Sequence, residues 1–130
     1  MADGERGGVE SIPRVYLVFN GPLGMSSGKM AAQAFQACQR LYRAAMNDVT
    51  VMGQVRRHGL VEWARHTTTV ARVARTPAMW ERVKAEVGGV VMVDEGYTEV
   101  EPGSETVFAS WPLLAADAPK ILSNSKVPLL

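Results

Sequence analysis

Two side chains stand where their type and surroundings suit chemistry. Lys29 follows the run Met25-Ser26-Ser27-Gly28 and opens a helical pattern. A cation in a first helical turn opposes the helix macrodipole, which disfavours it slightly. It is either a solvated surface lysine or a partner of the helix N–H groups, ammonium and backbone together holding an anion. Asp94 closes the apolar run Val90-Val91-Met92-Val93, at the strand end where open α/β sheets place their sites. There it is either a turn residue or a proton acceptor. From Asp94 to Thr106 the chain is dense in carboxylates and hydroxyls.

Other chemistries fail on spacing. A phosphate loop needs glycine at position 23 and a hydroxyl residue after Lys29, but the residues are Leu23 and Met30. Ser26-Ser27-Gly28-Lys29 has the Ser-x-x-Lys spacing of acyl-serine enzymes, without their companion motifs and on a far shorter chain. Cys38 lies mid-helix near an apolar stripe and reads as inert packing. His58 and His66 are eight apart, and no carboxylate or cysteine is spaced to complete a metal site.

The elements that must position Lys29 and Asp94 follow from periodicity. Val15-Tyr16-Leu17-Val18-Phe19 is a continuous apolar run, as in a strand buried on both faces. Asn20-Gly21-Pro22-Leu23-Gly24 breaks it. From Lys29 to about Met46, Met30, Ala34, Ala37, Leu41 and Ala45 share one stripe, while Lys29, Gln33, Gln36, Arg40 and Arg43 share another. Ser26 or Ser27 is the expected N-cap. Residues 47–59 are weakly patterned and 60–66 read as a short helix. Residues 67–74 predict a second strand, rich in β-branched side chains. Thr76 and Pro77 start a helix that runs to about Val87 and ends at Gly88-Gly89. Residues 90–93 and 106–111 complete four strands. Pro112, Pro119 and Pro128 break up the C-terminal stretch, with a helical turn around 116–123. The order β-α-(α)-β-α-β-β predicts an α/β fold: a single three-layer domain with a four-stranded mixed β-sheet flanked by helices.

Composition agrees with one globular domain. The chain has 130 residues, 47% apolar and 21% charged, which excludes a wholly disordered or fibrous class. A single cysteine excludes a disulfide framework, and no apolar run approaches the ~20 residues of a membrane helix. The opening MADGERGG has neither signal-peptide order nor transit-peptide composition, so the cytoplasm is the expected compartment. Residues 1–12 read as a flexible tail before a domain at 13–130. Net charge is +1, yet residues 40–84 carry nine Arg and Lys against three acids, and residues 85–117 carry seven acids and no Arg or Lys. Such a split gives one basic face able to attract a polyanion.

Together the two segments resemble the type 2 (archaeal and eukaryotic) peptidyl-tRNA hydrolases, from about Arg14 to the C-terminus. That family carries a lysine-glycine-lysine loop before an Ala-Ala-Gln helix; the counterpart is Ser27-Gly28-Lys29-Met30-Ala31-Ala32-Gln33. Its second signature, Asp-Ala-Gly-x-Thr followed by Pro-Gly-Ser and a further threonine, is met at every spacing by Asp94, Gly96, Thr98, Pro102-Gly103-Ser104 and Thr106. The resemblance implies cleavage of the ester between a peptide, or N-blocked amino acid, and the 3′-terminal ribose of tRNA. No metal or organic cofactor is implied. By motif position Lys29, Asp94, Thr98 and Thr106 are the implied catalytic residues. Asp94 would orient or deprotonate water, and Lys29 would stabilise an oxyanion or hold the terminal phosphate. The threonines would position water or ribose hydroxyls. Gly28, Gln33, Gln36, Arg40, Arg43 and Gly96 are the implied substrate contacts, extended by Arg56, Arg57 and Arg65 as a basic patch for the acceptor arm. A homodimer is also implied, with Trp63 and Trp80 serving either its interface or the core.

The sequence departs from the family pattern at Glu95, Tyr97, Ser27 and Gln36, and it adds Glu99, Glu101 and Glu105. These changes predict a site less welcoming to phosphate. Two further readings therefore stay open: a catalytically inactive binding or regulatory module on the same fold, and a hydrolase of a different ester or amide.

Overall fold

A computed structural model of the chain describes residues 11–96 and 99–130. Most of the expected N-terminal tail (residues 1–10), Tyr97 and Thr98 lie outside the described residues. The helices and strands are β1 (Val15–Asn20), α1 (Ser27–Asn47), α2 (Val51–Ala64), β2 (Thr69–Ala74), α3 (Pro77–Glu86), β3 (Gly89–Val93) and β4 (Glu105–Ser110). Single 3-10 turns occupy Gly21–Leu23, Ala115–Asp117 and Lys120–Ser123.

The four strands form one mixed sheet in the order β2-β1-β4-β3. β1 and β2 are parallel, and β4 is antiparallel to both of its neighbours. Strand alternation sends Val15 and Phe19 to one face and Tyr16 and Val18 to the other, and each face is covered. On one side Ala37, Leu41 and Ala45 of α1 pack with Leu60 and Trp63 of α2. On the other Met79, Trp80 and Val83 of α3 pack with Ile121, Leu122 and Val127 from the C-terminal segment. The last residues run along β2: Val73 N–H donates to Pro128 O at 2.9 Å and Leu130 N–H to Ala71 O at 3.0 Å.

Boundaries differ from the sequence pattern in two places, each for a physical reason. The stretch expected as weakly patterned followed by a short helix is one helix, α2. Its periodicity is hidden because Val51, Met52, Val55 and Val61 point outward while Gly53 faces inward, where a Cβ would lie 2.0 Å from Asp48 O. The second strand begins at Thr69 because Thr67 takes a left-handed φ of 52° and Trp63 Nε1–H donates to Thr68 O. Trp63 and Trp80, weighed as interface residues, are both core, at 7% and 3% exposure.

Gly89 holds a further close approach, since a Cβ there would sit 2.1 Å from Ala109 O and 2.7 Å from the Phe108 ring. Gly89→Ala is therefore expected to lose at least about 1–3 kcal/mol of stability. Urea unfolding should show the midpoint falling with the slope unchanged.

Candidate functional site

α1 begins at its N-cap, Ser26, whose hydroxyl accepts from Lys29 N–H at 3.2 Å. Lys29, Gln33 and Gln36 then recur one turn apart on the face toward the end of β3. From the other side, the loop after β3 fixes Asp94 by its main chain: Asp94 N–H donates to Ser104 O and Gly103 N–H to Asp94 O. Gly96 makes this closure possible. It takes φ 81°, and a Cβ there would fall 2.4 Å from Pro102 N.

The two elements meet at the Asp94 carboxylate. Lys29 Nζ lies 2.9 Å from Oδ1, Gln33 Nε2 donates to the same oxygen at 3.1 Å, and Gly96 N–H donates to Oδ2 at 2.8 Å. The Lys29 and Asp94 side chains are 10% and 9% exposed. The hydrogen bond from Lys29 holds the Asp94 carboxyl below its usual range, helped by the Gly96 N–H and the Gln33 amide and opposed by burial. The carboxylate is therefore ionised at neutral pH. Of its four or so lone-pair positions, three are taken. A desolvated ion pair is a poor source of stability, so its place at the floor of a cleft of about 490 Å³ points to chemistry.

Thr106 reaches this site through an irregularity in the sheet. The β3–β4 register shifts between Met92 and Val93, leaving Thr106 as an extra residue on β4. Regular alternation would send Thr106 to the α3 face with Phe108. Instead its hydroxyl donates to Gln33 Oε1 at 2.6 Å, which turns the Gln33 amide so that Nε2 faces Asp94. Thr106 and Gln33 are 0% and 1% exposed. Thr106, expected to position water or ribose, bonds Gln33, and Gln33 in turn bonds Asp94. Gln33, expected among substrate contacts, is the buried link between them. Thr98, the fourth expected catalytic residue, lies outside the described residues.

Gln36, Arg40 and Arg43 are exposed and string together along α1. A groove of about 290 Å³ joins Gln36 and Arg40 to Asp94 and Glu95, and a smaller one continues past Arg43. Gly28 leaves open space at the start of α1, where a Cβ would meet nothing within 4 Å. The arginines of the expected wider basic patch each have a local partner. Arg57 donates to Ala45 O and Asp48 O at the end of α1, Arg56 lies over the Trp111 ring at 4.7 Å, and Arg65 pairs with Glu62.

The acidic loop also departs from expectation. Glu105 faces away from the cleft, toward α3, where it accepts from Trp80 Nε1 at 3.0 Å and pairs with Lys84. Glu99 accepts from the Ser26 N–H and hydroxyl, which lowers its pKa and covers the first turn of α1. Neither role has a sequence signal, since both depend on contacts more than 20 residues apart. Burial pushes the Cys38 thiol up, which keeps it protonated. Among the described residues, no three His, Cys, Asp or Glu side chains cluster to hold a metal ion, and no helix is long and apolar enough to cross a membrane.

The sequence profile of the family described as Peptidyl-tRNA hydrolase PTH2 matches residues 14–127. A Caenorhabditis elegans protein described as probable peptidyl-tRNA hydrolase 2 is 34% identical over 117 residues, covering 82% of this chain. The chain spans about a third of that relative, 35% of its length.

Two outcomes follow from the Asp94 cluster. Because Lys29, Gly96 and Gln33 hold the Asp94 carboxyl below the ordinary carboxylate range, the carboxylate contributes its full stability above that range and loses it as pH falls through the folded pKa. Asp94→Asn should therefore flatten the loss of stability that sets in as pH falls below the ordinary carboxylate range, read by urea unfolding at stepped pH. Thr106→Val leaves Gln33 Oε1 buried without its donor and should cost about 1–3 kcal/mol. The same variant should shift the Asp94 carboxyl titration upward in NMR.

Proposed function

The chain belongs to the peptidyl-tRNA hydrolase PTH2 family, and on that premise we propose that it hydrolyses the ester between a peptide, or an N-blocked amino acid, and the 3′-terminal ribose of tRNA. The observation that carries this reading is the ionised Asp94 carboxylate at the floor of an open cleft, held by three donors of which one is an ammonium.

In this reading a water molecule takes the remaining acceptor position on Asp94 and is aimed at the ester carbonyl carbon. As its oxygen bonds to that carbon, its proton passes toward Asp94 and the carbonyl oxygen gains negative charge, which the Lys29 ammonium stabilises. The ester C–O bond then breaks, and the 3′-oxygen leaves with the proton. A carboxylate held below its usual range is a weak base, so it keeps that proton only in passing. Thr98 is retained in the reading by its motif position. Gly28 and the open start of α1 admit the terminal nucleotide, and Arg40 and Arg43 hold the acceptor arm. Glu99, bound at the first turn of α1, competes there with a substrate phosphate.

The reading extends to an RNA-binding cytoplasmic protein that works as a homodimer, for which the outward Met52 and Val55 beside Trp111 offer apolar surface to cover. The inactive-module reading drew on the acidic loop. Glu105, turned to the far face, lends it no support.

Release of N-acetyl-amino acid from N-acetyl-aminoacyl-tRNA at low salt tests the reaction. Asp94→Asn should lower turnover about 10²–10⁴-fold, and full activity in that variant would sink the assignment. Activity on small esters but not on the RNA ester would move the function to the different-ester reading. Arg40→Ala/Arg43→Ala should weaken tRNA binding and reduce the slope of log affinity against log salt by about 2. Glu99→Gln should tighten binding.

A further inference from the structure

On the sheet face that carries α3, opposite α1 and its cleft, β1 and β2 hold Arg14 and Arg72 against the C-terminal segment. A pocket of about 150 Å³ opens between them, walled by Tyr16, Val70, Leu122 and Ser123. Among the described residues no carboxylate lines it and neither guanidinium is ion-paired. Arg72 Nη1 donates to Val127 O at 2.8 Å. The Nε of each arginine is shielded from solvent and meets no acceptor. Two permanently charged groups share one recess without a counter-ion among the described residues, and an acceptor placed there would complete them.

The Nη groups of a guanidinium present N–H donors that match an oxyanion. The pocket is below the ~300 Å³ of ordinary small-molecule sites and holds roughly five waters at ~30 Å³ each. A tetrahedral oxyanion fits and a nucleoside does not. We propose that Arg14 and Arg72 form a phosphate-binding site, separate from the cleft at Asp94 and independent of the reaction assigned there. The phosphate is either a free ion or a backbone phosphate of RNA.

The test is an NMR titration of the ¹⁵N-labelled protein with inorganic phosphate at constant ionic strength. Saturable shifts of the Tyr16, Val70 and Ser123 amides are expected. Arg14→Gln, whose native side chain makes no hydrogen bond among the described residues, should weaken the affinity about tenfold or more. Arg72→Lys, which keeps the charge but loses the fork, should weaken it too and serves if Arg14→Gln does not fold. Shifts confined to Gly28 and Lys29, shifts that do not saturate, or affinity unchanged in both variants would each overturn the site. A trinucleotide RNA without terminal phosphates replaces the ion in a second arm. Tighter saturation by the trinucleotide assigns the site to RNA backbone, and tighter saturation by the ion assigns it to free phosphate.

Discussion

A nearly buried carboxylate must be satisfied from all sides or it will not stay charged, and the structure around Asp94 meets that demand. One donor comes from the first turn of α1, one from its second turn, and one from the backbone two residues on. Each fixes a different part of the fold. Lys29 sets how far α1 advances toward the sheet edge, Gln33 sets its rotation, and Gly96 sets the path of the loop. Removing the charge would relax α1 and the loop after β3 together.

The same demand explains the extra residue in β4. A regular ladder would offer α1 a single file of side chains from β4, and Val107 already fills the packing position. Thr106 adds a hydroxyl beside it without displacing that contact, because the shifted register turns two consecutive residues to the same face. A buried glutamine amide is useful only if its orientation is fixed, and one hydroxyl is enough to fix it. Glu105, one residue earlier, is freed to serve the α3 face.

Much of this was legible in the sequence. The apolar run at 15–19, the Ser26 and Thr76 caps and Pro77 each signal local structure strongly, and the order of elements follows from them. The pairing of Lys29 with Asp94 was reachable only through motif resemblance, since 65 residues separate them. What the pattern could not carry was whatever depends on a single contact between distant segments. The rotation of Thr106 rests on a register shift that leaves no mark on alternation. The length of α2 was hidden by a glycine turned inward, and the acids of the loop read as one charged group although they face opposite sides of the sheet.

The C-terminal residues laid along β2 have a further consequence. A sheet of four strands has two edges, and an unpaired edge is a template for another chain. Residues 128–130 take up the β2 edge with main-chain bonds to Ala71 and Val73, and Pro128 brings no N–H of its own to offer outward. The remaining edge, β3, is five residues long and loses its regular register at Val93. Neither side is suited to growth by strand addition, so the sheet ends within its own chain.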